Sequence, residues 1–226
     1  DTEWKTANTD TSLKWYTYSY DALNRIAAAS GNTNNYNLNS VSYDKNGNIT
    51  NLIRRGHKIE ATPTTFDATD ILNYYYNGNQ LHSVTDSSGY ITGFKDGHIS
   101  DHLYNNGNDD YAYDANGNML KDLNKGISSN ITYNHLNLPT LVTLSGGNIS
   151  YIYDATGVKL NKIVSTGATT EYAGNYVYEN SSLKFFNHPE GYFDVTSTSG
   201  NITGDYVYQY KDHLGNVRLS YKDSNN

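Results

Sequence analysis

One short pattern recurs along this chain and limits what it can fold into. Tyr111-Ala-Tyr113-Asp114-Ala-Asn-Gly117-Asn118 returns as Tyr151-Ile-Tyr153-Asp154-Ala-Thr-Gly157, and Tyr133-Asn134-His-Leu-Asn137 falls midway between them. Upstream copies are Tyr18-Ser-Tyr20-Asp21-Ala-Leu-Asn24-Arg25, Val41-Ser-Tyr43-Asp44-Lys-Asn-Gly47-Asn48 and the shortened Tyr74-Tyr-Tyr76-Asn77-Gly78-Asn79. Downstream, Tyr176-Val-Tyr178-Glu179 and Tyr206-Val-Tyr208 extend the series across longer spacers. Fixed-period similarity of this kind marks a repeat architecture. Tyr-x-Tyr puts two rings on one face of a strand, because strand side chains alternate with period 2. Asp or Asn then opens a turn by accepting nearby backbone amides, and Gly or Asn supplies a positive φ. An apolar pair starts the next strand, as in Met119-Leu120. Each unit therefore reads as a β-hairpin of about 20 residues, too small to be stable unless its neighbours stack on it.

Composition agrees with strands and tight turns. The 226 residues include 23 Tyr, 31 Asn and 19 Gly but only 3 Pro, and Val, Ile, Leu and Phe together supply about 19%. So low an aliphatic fraction approaches the disordered range, but a net charge of −7 is small for this length, and the tyrosines restore buriable aromatic surface. An acidic chain whose longest basic run is Arg54-Arg55 lacks an electrostatic surface for nucleic acid. No apolar stretch approaches the ~18 residues of a membrane span. The absence of Cys excludes disulfides, thiol catalysis and Cys-ligated zinc. Starting at Asp1, without Met or signal peptide, the chain reads as a mature fragment or an excised piece.

The expected organisation is one continuous all-β repeat region over 1–226, with irregular excursions at about 53–72 and 86–110. Around sixteen strands at ~4.8 Å each would give a strip too narrow to close around a cargo domain. An open strip also leaves two unpaired edges, so further repeats of the same protein or an edge-covering chain are expected.

Candidate chemistry is sparse. His98 and His102 with Asp101 have metal-ligand spacing, but the surrounding glycine-rich spacer argues for a polar loop. Asp109-Asp110 reads as a solvated approach to a strand rather than a carboxylate pair. Asp212-His213 pairs an acid with a base, yet its place in a Tyr-Asp turn assigns Asp212 to backbone capping, with Gly215-Asn216 turning the chain. The tyrosines could serve as a sugar-stacking platform; their in-phase spacing fits stacking between hairpins better. No cofactor motif is present.

These residues resemble the YD repeats of the bacterial RHS family, related in pattern to insecticidal toxin-complex shells and to animal teneurins. The resemblance is strongest at Tyr210-Lys-Asp212-His213-Leu214-Gly215-Asn216-Val217-Arg218-Leu219-Ser-Tyr221, which looks like the last repeat before the RHS-associated core. Asn134-His-Leu-Asn-Leu-Pro139, Phe185-Phe186-Asn-His188-Pro189-Glu190-Gly191-Tyr192 and Asn77-Gly-Asn79-Gln80-Leu81 also look like family segments. The resemblance implies curved, stacked antiparallel hairpins in a spiralling shell of an exported bacterial protein, secreted or held at the cell surface. Such a shell would enclose and present a C-terminal toxin and engage secretion machinery, with no chemistry of its own. The family's core carries an Asp-Pro self-cleavage motif; this chain contains no Asp-Pro, so neither cleavage nor toxin carries over. A surface module binding glycan or a partner protein is the alternative, and a hydrolase is a distant third.

Overall fold

A computed structural model describes residues 2–6, 10–59, 61, 64–97, 109–197 and 200–222. The described residues are all-β apart from one 3-10 turn, and they divide into two compact units, 1–128 and 129–226.

In unit 1, β1 (Thr2–Thr6), β2 (Asp10–Tyr20), β3 (Ile26–Gly31), β4 (Leu38–Tyr43), β5 (Ile49–His57), β6 (Phe66–Asn77) and β7 (Gln80–Asp86) form a seven-stranded antiparallel sheet in sequence order. A separate two-stranded ribbon pairs β8 (Tyr111–Tyr113) with β9 (Met119–Asp122). Unit 2 is a ten-stranded sheet, again in sequence order. Its strands are β10 (Thr132–Tyr133), β11 (Pro139–Leu144), β12 (Gly147–Tyr153), β13 (Lys159–Val164) and β14 (Thr169–Ala173), followed by β15 (Tyr176–Glu179), β16 (Ser182–His188), β17 (Gly191–Ser197), β18 (Thr203–Lys211) and β19 (Val217–Lys222). Each sheet is an open strip of hairpins: every strand pairs with its chain neighbours, and the ends do not meet.

Two expectations need correction. The stretch 53–72 is no excursion: β5 and β6 run through most of it and pair from His57↔Phe66 to Asn51↔Asn73. The consecutive Arg54-Arg55 and the following Gly56 hide the alternation, but the ladder continues beneath them. Tyr206-Val-Tyr208 does not precede a turn either, since β18 continues to Lys211 and the turn opens at Asp212.

Residues 87–97 are irregular, and they lie against unit 1's sheet. Ser88 Oγ donates to Thr69 O, Thr92 Oγ1 to His57 O, and the Phe94 amide to Asp70 Oδ1. Phe94 thereby joins a small core of Leu72, Val84 and Tyr111, with Leu52, Tyr74, Leu81, Tyr113 and Met119 packed around it. In unit 2 the aromatic residues form a row across neighbouring strands. Ring centroids lie 5.4 Å apart for Tyr176–Phe186, 5.1 Å for Phe186–Phe193 and 4.9 Å for Phe193–Tyr206. Such pairs add to the area they bury.

Candidate functional site

The repeated Tyr-Asp turn is the feature the whole chain is built around. Six turns share one hydrogen-bond pattern. The amide of the leading Asp or Asn donates to the carbonyl four residues on: Asp21 to Arg25, Asp44 to Asn48, Asp114 to Asn118, Asn134 to Leu138, Asp154 to Val158 and Asp212 to Asn216. The amide three residues on donates back to the leading carbonyl, and there φ is positive: Asn24 59°, Gly47 91°, Gly117 85°, Asn137 57°, Gly157 90° and Gly215 83°. This is the three-residue hairpin loop that ends in a left-handed step. The leading side chain completes it, because Oδ1 accepts the amides two and four residues on, as in Asp44 with Asn46 and Asn48, both at 2.8 Å. The shortened copy differs. Asn77 pairs directly with Gln80 across Gly78 and Asn79, and its side chain does not cap the turn.

At Asp21, Asp44, Asp114 and Asp212 the second carboxylate oxygen is also taken. Asn48 and Asn118 Nδ2 donate to Oδ2 of Asp44 and Asp114, each at 2.8 Å. Arg25 forks onto Asp21, and Arg218 onto Asp212 through Nε at 2.8 Å and Nη2 at 2.6 Å. Asp212 therefore caps and anchors, while His213 stands exposed at the tip of its turn. Because each of these bonds favours the ionised form, the turn carboxylates titrate low. Asn48, Asn118 and Asn216 chiefly lower Asp44, Asp114 and Asp212, the last to about 2; the Arg25 amide does so for Asp21, and Thr156 for Asp154. A folded pKa below the unfolded 3.8 gives stabilisation that is complete above that value and is lost as pH falls through the folded pKa. Thermal melts followed by circular dichroism should be level above about pH 5 and drop steeply between about pH 4 and 2. The Asn134 turn carries no charge and adds nothing to that slope. A melting temperature unchanged down to pH 2 would contradict the geometry.

Successive turns are joined by tyrosine hydroxyls rather than by the ring-on-ring stacking that the spacing suggests. Tyr43 donates to Ile26 O at 2.7 Å, Tyr113 to Leu81 O at 2.9 Å and Tyr153 to Pro139 O at 3.1 Å. In each case the acceptor lies at the start of the strand that leaves the preceding turn. The Arg25 guanidinium adds a cation–π contact 4.3 Å above the Tyr43 ring, and Asn46 and Asn48 both donate to Asn79 Oδ1. Ring pairs occur within a strand, as for Tyr151–Tyr153 at 6.4 Å, and between strands in the aromatic row of unit 2, as for Phe193–Tyr206 at 4.9 Å. Burial raises the Tyr113 and Tyr153 phenols above their ordinary value. Tyr113→Phe and Tyr153→Phe should each cost about 1 kcal/mol, since each leaves a carbonyl without its donor while keeping the ring. Urea unfolding of the double variant measures this, and an unchanged midpoint would rule the link out.

Of the remaining repeat residues, Tyr20 and Tyr210 are exposed, whereas Tyr76 and Tyr133 are half-buried in their strands. His98, Asp101 and His102 lie outside the described residues. Among the described residues no group of three or more His, Asp or Glu is arranged to hold a metal ion. Asp109-Asp110 is not a solvated approach. Asp110 is buried and accepts the Val84 amide at 2.8 Å, while Asp109 meets His82 Nδ1 at 3.0 Å. Asp70 and Asp122 are buried as well. Asp70 receives Arg54 Nε and the Phe94 amide, and Asp122 caps the 3-10 turn Leu123–Lys125 and pairs with Lys125 Nζ at 2.9 Å. Burial also pushes the neighbouring Tyr111 phenol up to about 12. No spacing rule marks Asp70, Asp109 or Asp110, because their partners come from other strands and from the 87–97 segment.

No family model matches the chain. It is 26% identical over 221 residues to teneurin-1 of Homo sapiens, which covers 93% of this chain and 6% of that protein. Teneurin-1 of Mus musculus is 26% identical over 212 residues, with the same coverage. Among solved structures, the crystal structure of TcdB2-TccC3-Cdc42 matches with a TM-score of 0.54 and 14% identity over 97% of this chain and 14% of that one. At that identity the likeness is one of fold. The chain spans only 6% of the length of the curated relatives it matches. Together with the turn pattern, these likenesses fit the relationship to RHS/YD-repeat proteins that the sequence indicated.

Proposed function

We propose that this chain is a non-catalytic wall segment of an exported bacterial RHS-repeat protein. Its work is mechanical: Tyr-Asp turns fix the hairpins, hydroxyl bonds join them, and the strip they make is part of a shell that encapsulates and presents a C-terminal toxin or effector. The observation that carries this reading is the repetition of one turn geometry in both units, an arrangement suited to building surface rather than a reaction centre. The carboxylates that could have done chemistry are committed to backbone amides, to Arg25, Arg54 and Arg218, or to the fold of unit 1.

Partners follow from the strip's edges. All six residues of β19 are exposed, with Val217, Leu219 and Tyr221 among them, and its outer edge has no strand partner among the described residues. An edge of that kind invites pairing or aggregation unless it is covered. The proposed cover is further repeats or the core of the same protein, or an edge-covering chain, and the proposed location is outside the producing cell or on its surface. The test is limited proteolysis of the whole secreted protein. If the wall encloses cargo, its C-terminal segment resists protease until a deletion across 129–226 opens the shell. Equal digestion with and without the deletion would refute encapsulation.

A further inference from the structure

Unit 1 holds a cavity of about 300 Å³ lined by Tyr36, Arg54, Arg55, His57, Thr69 and Thr92. It sits at a β-bulge. The register between β5 and β6 passes from Arg54↔Asp70 to Arg55↔Ala68 and leaves Thr69 without a partner on β5. Bulges re-aim side chains and break the strict alternation of faces. Here both arginines of the chain's longest basic run border one space, along with His57. Gly56 makes room, because a Cβ there would stand 2.7 Å from Thr69 Oγ1.

We propose that this cavity binds a small ligand bearing a carboxylate or phosphate, of about monosaccharide size. In a chain of net charge −7, a pocket bordered by Arg55 and His57, with Arg54 at its edge tied to Asp70, runs against the overall balance. Arg55 spends its hydrogen bonds on neutral carbonyls, Nε donating to Asn34 O at 3.1 Å and Nη2 to Phe66 O at 3.3 Å, while the Asp67 carboxylate on the adjacent strand feels its charge. Those bonds fix the plane of the fork and leave its other N–H groups for an oxyanion, which guanidinium matches in two-point geometry. Arg54 spends only Nε on Asp70, and its side chain is 54% exposed. Tyr36 supplies an apolar wall, held edge-on against Phe66 at 5.3 Å and His57 at 6.4 Å, with its carbonyl tied down by the Tyr16 hydroxyl. The volume lies at the small end of ligand pockets. Charge, donors, an aromatic wall and that size together select a sugar acid or a sugar phosphate over a neutral sugar or a peptide. This assignment does not depend on the shell reading.

The test is titration of the full chain with glucuronate, glucose 6-phosphate and glucose at constant ionic strength, followed by amide NMR shifts and calorimetry. The expected result is saturable binding of one or both anions, with shifts centred on Gly56, His57 and Thr92 and none for glucose. The two anionic arms separate a carboxylate ligand from a phosphate ligand. Arg55→Gln should weaken the bound anion at least tenfold. Should that variant disturb the fold, Arg55→Lys keeps the charge, loses the fork, and must still weaken binding several-fold. Glucose binding as well as the anions, shifts elsewhere on the surface, or unaltered binding by a folded Arg55 variant would each overturn the proposal.

Discussion

Gly191→Ala is expected to cost roughly 3 kcal/mol and to lower the melting temperature by on the order of 10 °C. Gly191 opens β17 and faces His188 on one side and Tyr208 on the other. A Cβ at Gly191 would overlap the Val207 carbonyl, a backbone group of the adjacent strand that cannot rotate away, and its φ of 156° is one that side-chain-bearing residues rarely adopt. On the paired strand position beside it, the His188 ring lies 5.6 Å from the Tyr206 ring and 5.9 Å from the Tyr208 ring. Alanine would force β17 and β18 apart. Gly146→Ala is the matched control, since nothing lies within 4 Å of its Cβ position, and it should fall within about 0.5 kcal/mol of the parent. Equal melting of the two variants by differential scanning calorimetry would show that the spacing of β17 and β18 is not what holds unit 2.

The second large effect concerns Arg54 and Asp70, where the two halves of one ion pair should respond unequally. Asp70 is 1% exposed, whereas half of the Arg54 side chain is in water. Arg54→Met strands a buried carboxylate with only the Phe94 amide and should cost about 3 kcal/mol. Asp70→Asn keeps an acceptor for Phe94 and lets Arg54 hydrate, so about 1–2 kcal/mol is expected. Denaturant unfolding ranks the two variants. Hydrogen exchange at the Phe94 amide adds a local readout, fast in Asp70→Ala and slow in Asp70→Asn. The reverse ranking would mean that Asp70 is not buried as described.

The turns are legible in the sequence because their chemistry is local. A leading Asp or Asn, and a Gly or Asn three residues later, contain nearly everything the loop needs, so 44–48, 114–118 and 154–158 can be read directly. Strand partners are legible for a related reason: tight turns force each strand onto its neighbour. Residues 53–72 defeated the alternation rule because Arg54 and Arg55 straddle a bulge, where period 2 fails. The buried carboxylates were hidden too. Burying Asp70 is tolerable only because Arg54 and Phe94 arrive from β5 and from the 87–97 segment, and sequence distance says nothing about such meetings.

One device recurs where no residue type announces it. Beside each Tyr-Asp turn the register slips, from Ser19↔Ala28 to Tyr20↔Ile26, from Ser42↔Asn51 to Tyr43↔Ile49, and from Ile152↔Asn161 to Tyr153↔Lys159, leaving Ala27, Thr50 and Leu160 unpaired. A bulge bends its strand and increases local twist. The residues at the extra position share no chemistry, so the slip arises from fitting a left-handed loop onto a twisted ladder. By itself, then, the sequence determined the hairpin as the unit, the place of most turns and the order of the strands, since all three rest on contacts within a few residues. Only the tertiary structure decided the registers, the bulges, the division into two units, the burial of Asp70, Asp110 and Asp122, and the cavity at Arg55. Each of these depends on groups brought together from different strands, whose desolvation and geometry are settled after the hairpins meet.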